Sequence, residues 1–586
     1  MKKKNPSTQP VLLRLWKVMS CYRGHIILLL VCAVVSSLSS VFSTMYLGRA
    51  IDTMIGKGNV AFGDLTRIIA VLACLFLSAS LFQWFVSLLS NHVAYGTAKL
   101  LRETMFDKFG RLPLAYFDRS SKGDLISRFT NDLDSVSDAL SLSLVSLFMG
   151  LVTVVSSLIV MFSLNVRMTV TILLCTPLVF LAGYAISKFT RNTYIKQQAT
   201  VGAMSGFVSE IVGNEKLVKA FGYEETSGER FEEINQSLFQ TATKAQFASA
   251  IFNPATRFVD HLSYMLVGLI GALTAIGRFG GGATVGTISQ FLIYSGQFAK
   301  PFNEISGLMA NIQTGIAALG RVFMVIDANE ERQEVDSTPA LQCGEGNVEF
   351  EDVSFSYYPG RPLIQHFNLR AASGSTIAIV GATGAGKTTL VNLLMRFYEL
   401  NSGTIRVDGQ DISEVTRDSL RRSFGMVLQD TWIFAGTIRD NIAYGHPQAT
   451  EEEIIQAAKS AHAHSFIKRM PHGYDTLLEQ DGGNLSEGQK QLLTIARVML
   501  TNPEMLILDE ATSSIDTLTE IRIQKTFLKM MKGRTSFVIA HRLSTITSAD
   551  LILVMDKGNV VETGTHRELL QSHGLYYQLY HSQFES

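Results

Sequence analysis

The apolar residues of this chain are crowded into one half of it, and that crowding constrains the fold more than any motif does. Six stretches, near 25–51, 65–89, 141–164, 168–188, 262–276 and 285–312, are long and apolar enough to cross ~30 Å of hydrocarbon as helices. Residues 346–586 have an ordinary soluble composition, so the chain reads as a membrane half followed by a soluble half. At 586 residues it is too long for one core in any case. The first apolar run starts only near Gly24 and lacks a small-residue cleavage pattern, so it is expected to be a retained span rather than a signal peptide.

The links between spans alternate in character. Those after spans one, three and five are short, whereas those after spans two and four are long and rich in Lys and Arg. With the basic N-terminal tail, this predicts that the N-terminus, both long links and the soluble half are cytoplasmic. Between Asp64 and Gly110 there is no proline, so one helix of about 70 Å is expected to project well beyond the membrane and to stop at L-P-L-A-Y-F-D, 112–118. The proline-free run from Pro177 to Pro254 predicts a second projection, with E-I-V-G-N-E-K-L-V-K-A-F-G-Y in its middle. Both turns, near Tyr116–Phe117 and near Gly213–Phe221, are expected to meet the soluble half and carry movement across the membrane.

Polar residues inside spans are candidates for function. Arg257, Asp260 and His261 fall within about one turn of span five, with Asp260 a candidate for the wall of a water-filled cavity. In span six, Lys300 and Glu304 stand at i, i+4 and read as a structural pair, while Gln290, Gln297 and Asn303 read as helix-to-helix contacts. The five cysteines (Cys21, Cys32, Cys74, Cys175, Cys343) have no metal or disulfide spacing and are expected to be buried spectators. A formal net charge of zero offers nothing to nucleic acid.

In the soluble half, a strand-like S-T-I-A-I-V runs into G-A-T-G-A-G-K-T-T, 381–389, and then into the helical L-V-N-L-L. This is a P-loop in the strand–loop–helix setting that the motif requires. Gly381, Thr383, Gly384 and Gly386 let backbone N–H groups close around phosphates at a helix N-terminus. Lys387 would reach the outer phosphates and the Thr388 hydroxyl would ligate Mg²⁺, with Thr389 beside it. A further strand, M-L-I-L, ends in Asp509 and Glu510, a hard oxygen ligand for Mg²⁺ followed by a candidate general base. Another, S-F-V-I-A, delivers His541 within reach of a γ-phosphate.

Taken in order and spacing, the P-loop, Gln429 in M-V-L-Q-D, L-S-E-G-Q at 485–489, L-I-L-D-E-A-T-S-S-I-D and I-A-H-R-L resemble the motif set of ATP-binding cassette (ABC) domains. With six spans ahead of it, the chain resembles an ABC exporter half-transporter: a membrane domain, 1–326, a linker, 327–345, and an α/β ATPase domain, 346–586. The resemblance implies that Tyr357 stacks on adenine and that Gln429 senses the γ-phosphate and Mg²⁺. It also implies that His541 acts as a switch and that Asp516 joins a dimer contact. Two such chains would pair head to tail, each ATP lying between one chain's P-loop and the partner's Ser486, Gly488 and Gln489.

Three places depart from the pattern: 476–482 reads T-L-L-E-Q-D-G where such exporters usually carry a G-E-R-G-like run, the D-loop reads S-S-I-D where S-A-L-D is usual, and the signature carries Glu487. Glu487 stands where the family has glycine, and a carboxylate facing ATP phosphates costs on the order of a kcal/mol at a partly screened separation. The chain therefore carries the catalytic half of a good site and the signature half of a poor one, similar to one subunit of heterodimeric bacterial multidrug exporters. The expectation is ATP-driven export of hydrophobic or amphipathic compounds across the cytoplasmic membrane, with a second half-transporter as partner. A homodimer that tolerates Glu487 and a lipid flippase are the alternatives. A soluble ATPase is excluded by the spans.

Overall fold

The computed structural model describes residues 11–54, 60–276, 283–335, 337–429, 431–509, 515–540 and 543–584. All six apolar stretches lie in helices: α1 (Arg23–Thr53), α2 (Phe62–Phe109), α3 (Leu133–Leu164), α4 (Val166–Gly213), α5 (Phe252–Ala275) and α6 (Val285–Ile326). Among the described residues, the runs containing α1, α2, α3 and α5 are each long and apolar enough to span a membrane, and the ends Val166–Pro177 of α4 and Asn311–Ile326 of α6 are shorter apolar segments. The chain divides into two units, one of 1–111 and 121–328, the other of Leu112–Ser120 and Asn329–Ser586.

In the first unit, small and amide-bearing residues set the helix contacts, because hydrocarbon gives apolar side chains no reason to prefer one another. Gln290 on α6 donates to Met45 O on α1 at 2.8 Å, and Gln297 donates to Thr44 Oγ1 at 2.8 Å. The Tyr294 hydroxyl, fully buried, donates to Val41 O at 2.8 Å. A Cβ on Gly48 would occupy the place of the Gln290 amide, so glycine is what lets the two helices close. The polar residues of span six thus join helix to helix, and Lys300 and Glu304 do pair, at 3.7 Å. The Asn303 side chain lies outside the described residues.

The α2 helix is 48 residues long and ends just before Pro113, as the proline-free run predicts. The second projection is not one helix. It breaks at Asn214, passes through the short helix Glu215–Ala220, turns at Gly222 with a φ of +60°, and returns as Glu224–Ala250. Val212, Leu217, Phe221 and Tyr223 at this tip are all exposed. Beyond the apolar layer, Asp132 accepts two hydrogen bonds from Arg321, at 2.6 and 2.8 Å, tying α6 to the turn of π-helix that precedes α3. Not all the cysteines are the buried spectators that the sequence predicts. Cys32 and Cys175 are buried, but Cys21 and Cys74 are exposed. Cys74 sits beside exposed Phe76 and Leu77 on α2, so the apolar surroundings that favour a thiol there are lipid rather than protein.

Among the described residues the second unit has two large sheets and a two-stranded pairing of Gly436–Thr437 with Leu477–Leu478. In one, β2 (Ile364–Ala371), β1 (Val348–Phe355) and β4 (Ser402–Val407) are antiparallel neighbours. In the other the order is β9 (Asn559–Gly564), β8 (Leu551–Asp556), β3 (Thr376–Gly381), β7 (Thr535–Ile539), β6 (Met505–Asp509), β5 (Phe424–Val427), parallel except at β9. β7 is buried throughout and β6 at all but its last residue, Asp509, as parallel strands covered on both faces are. One apolar core fills each side of this sheet. Arg417, only 9% exposed at its side chain, meets Glu334 and Glu399 at 3.2 and 2.7 Å and so fastens the polar stretch after Ile326 to this unit.

The short helix Leu114–Arg119 belongs to the same unit. Arg119 donates to Tyr357 O at 2.8 Å and lies over the Tyr358 ring, and the Tyr398 hydroxyl donates to the Asp118 carboxylate. Burial, reinforced by that carboxylate, pushes the Tyr398 phenol well above its ordinary value.

Candidate nucleotide-binding site

Parallel strands deliver their C-terminal ends to one edge of a sheet, and ligands of such sheets bind in the crevice outside that edge. Strand β3 ends there at Gly381, in register with Met555 of β8. A Cβ at Gly381 would collide with Met555 O, so the loop can leave the sheet only through glycine. Gly384 and Gly386 have φ of +83° and +99°, and Gly386 caps the N-terminus of α7 (Lys387–Leu394). Such a loop directs successive N–H groups inward.

The Lys387 ammonium donates to Gly381 O at 2.6 Å and Ala382 O at 3.2 Å, folded across the loop it would share with phosphates. Burial pushes it below its ordinary pKa, while the charge of Asp509 at the end of β6 pulls the other way. The Thr388 side chain is exposed, and Thr389 is buried and takes a hydrogen bond from the Tyr357 hydroxyl at 3.1 Å. Tyr357 is thus tied to α7, edge-on to Phe355 and Tyr398, and it is the next ring, Tyr358, that stands 58% exposed. Gln429 is exposed two residues beyond β5, beside β6.

These residues fit a nucleoside triphosphate: a glycine cradle, one ammonium at its wall, and an aromatic pair alongside. They also fit Mg²⁺, since Thr388 and Asp509 offer hard oxygens at one strand edge and phosphate oxygens would complete the shell. Glu510 and His541 lie outside the described residues, as do Asp430 and 511–514.

The signature residues form a separate cluster. Ser486 caps α8 (Glu487–Thr501): its hydroxyl accepts from Gln489 N at 3.3 Å and the Gln489 side chain accepts from Ser486 N at 2.9 Å. None of the described hydrogen bonds joins Ser486, Gly488 or Gln489 to 381–389. Asp516 caps the helix Thr517–Met531 by accepting from Thr519 N at 2.9 Å, which holds its carboxyl below the ordinary value. Gly488 packs against that same turn. A Cβ on it would come within 2.6 Å of Thr519 Cγ2 and 3.2 Å of Ile515 Cγ2. Gly488→Ala should therefore lower stability by about 1–3 kcal/mol through overpacking, seen as an earlier melting transition of the full chain.

Glu487 has a local partner that its spacing could have revealed. Lys490, three residues on, donates to Glu487 Oε1 at 2.8 Å, while the carboxylate stays 53% exposed.

The family model described as "ABC transporter transmembrane region" matches residues 26–302, and that described as "ABC transporter" matches 364–513. A Mycobacterium bovis protein called "Fatty acid ABC transporter ATP-binding/permease protein" is 45% identical over 525 residues, which is 89% of this chain and 82% of that one. An "ATP-dependent lipid A-core flippase" of Syntrophus aciditrophicus is 36% identical over 506 residues, 86% of this chain and 83% of that one. Among solved structures, a bacterial Atm1-family ABC exporter with ATP bound superposes with a TM-score of 0.77 at 30% identity, over 95% of this chain and 97% of that one.

Proposed function

The chain belongs to the ABC transporter family, and from that premise we propose that it exports hydrophobic or amphipathic compounds as one half of a dimer with two unequal ATP sites. The protein is a membrane exporter that binds ATP, with its ATPase domain on the cytoplasmic side. Lys387 and the backbone of 381–389 would hold the triphosphate, and Thr388 and Asp509 would hold Mg²⁺, which when bound would supply positive charge to the phosphate oxygens. Glu510 takes a proton from the attacking water, Gln429 and His541 orient the γ-phosphate, and Tyr357 lies against the base. Ser486, Gly488 and Gln489 face the partner's nucleotide from the positive end of α8.

Glu487 carries the inequality. It occupies the first turn of α8, where a phosphate would otherwise gain from the helix dipole. Its pairing with Lys490 softens the repulsion and favours weakened rather than abolished closure around that ATP. That pairing is also what supports a second reading, a homodimer that tolerates Glu487. The exposed Val212, Leu217, Phe221 and Tyr223 support a partner chain under either reading.

Purification of the chain alone separates the two. The heterodimer predicts ATPase activity at least about tenfold below that of the chain co-purified with a second half-transporter, as expected when neither site has both good halves. Robust, substrate-stimulated turnover by the chain alone would establish the homodimer instead. The substrates are hydrophobic compounds or lipids; the names of two relatives, for a fatty acid and for lipid A, support lipid-like ones. Transport of drugs, against movement of reconstituted lipid between leaflets, separates multidrug efflux from flipping.

A further inference from the structure

Between α5 and α6 lies a cavity of about 520 Å³, and its lining is cationic for a membrane segment. From α5 it takes Arg257, His261 and Tyr264, which at i, i+4 and i+7 form one stripe of the helix. From α6 it takes Lys300 and Glu304 together with small residues including Gly296. Gly296 makes room for the Tyr264 hydroxyl, since a Cβ there would stand 2.9 Å from it. Pro301, next to Lys300, is held in turn by Gly150 of α3, whose Cβ position is 3.0 Å from the proline ring.

Lys300 is paired with Glu304, at 3.7 Å. Arg257 has no hydrogen-bonding or ionic partner among the described residues, although it opens the apolar span Arg257–Ala275. A guanidinium at the edge of hydrocarbon is costly unless it faces water or an anion. Among the described side chains that line it, Lys300 and Glu304 cancel and Arg257 leaves one net positive charge when His261 is neutral. That balance suits a monoanion such as a carboxylate, which a guanidinium can bind through two parallel hydrogen bonds. The neighbouring stripe of the same helix, Phe258, Met265 and Leu269 at i, i+7 and i+11, is exposed and apolar, a track on which an acyl chain can lie while its head sits in the cavity.

We infer that the cavity lined by Arg257, His261, Tyr264 and Lys300 binds the carboxylate of an acyl-chain amphiphile, which makes this exporter selective for anionic over neutral amphiphiles. The inference rests on the exporter reading above and names the substrate class for it.

The test is equilibrium binding of dansyl-undecanoate and of its methyl ester to the full chain in phosphatidylcholine nanodiscs. The acid should bind at least about tenfold more tightly than the ester, the size of one charge-assisted contact. The double variant Arg257→Gln, Lys300→Gln should bring the two within about twofold by losing that same contact, with ester binding unchanged as evidence of folding. Arg257→Lys should keep most of the preference. Oleate should displace the probe, and acetate and inorganic phosphate should not. Equal binding of acid and ester, or an acid preference that survives the double variant, would overturn the inference. So would displacement by lysophosphatidate but not by oleate, which would mark a phosphate site instead. Failure of the exporter reading would look different: no ATP-dependent movement of acid or ester, whatever their affinities.

Discussion

Replacing Glu510 with glutamine, in the chain co-expressed with a second half-transporter as proposed above, is expected to lower ATP turnover by at least ~100-fold while ATP still binds. Glutamine keeps the shape of the side chain but cannot accept the proton of the attacking water. The effect should fall on the chemical step, so trapped ATP should accumulate while phosphate release stops. The size of the residual rate also reports on the partner. If the second site were equal and independent, with its own glutamate, about half of the turnover would remain. Near-complete loss is the outcome for a dimer in which only this chain supplies a working base. Nucleotide binding and phosphate release, measured on the same preparation, distinguish the two.

Lys387→Ala should produce a loss of comparable size, but at an earlier step. Its ammonium lies against Gly381 O and Ala382 O inside the loop, and the side chain is buried there. Removing it takes away the side-chain cation that the described residues place at the wall of the cradle, and turnover should fall by about 100-fold or more. Unlike the Glu510 variant, this one should also bind ATP more weakly, so the two are separated by a nucleotide titration. Glu510→Gln with weak ATP binding, or Lys387→Ala with normal binding, would mean that these roles are wrongly assigned.

The membrane helices were legible in the sequence because a span must satisfy every backbone group internally and face lipid with apolar side chains, so twenty or so such residues leave few alternatives. The length of α2 followed from the absence of proline as directly. The break at Asn214 and Gly222 did not, since glycine and asparagine interrupt a helix only when tertiary context lets them. The P-loop was legible because glycine spacing and strand–helix context are local. The bond from Tyr357 to Thr389 and the field of Asp509 on Lys387 join residues far apart in the chain, and no periodicity announces them. Glu487 shows a nearer omission. Lys490 stands one helical turn away, and the i, i+3 spacing alone foretold the ion pair that tempers its charge. Arg257 and His261 could be read as polar intruders in a span, but only the packing of α5 on α6 gathers them with Tyr264 and Lys300 around one cavity. The Asp260 side chain lies outside the described residues.

The most direct measurement is of ATP-dependent transport by the chain, with the second half-transporter proposed above, in proteoliposomes with the ATPase domains facing outward. Dansyl-undecanoate should move into the lumen when Mg-ATP is added outside, and the movement should vanish with Glu510→Gln. Uptake that proceeds without ATP, or that survives Glu510→Gln at an unchanged rate, would contradict export driven by hydrolysis at this chain's P-loop.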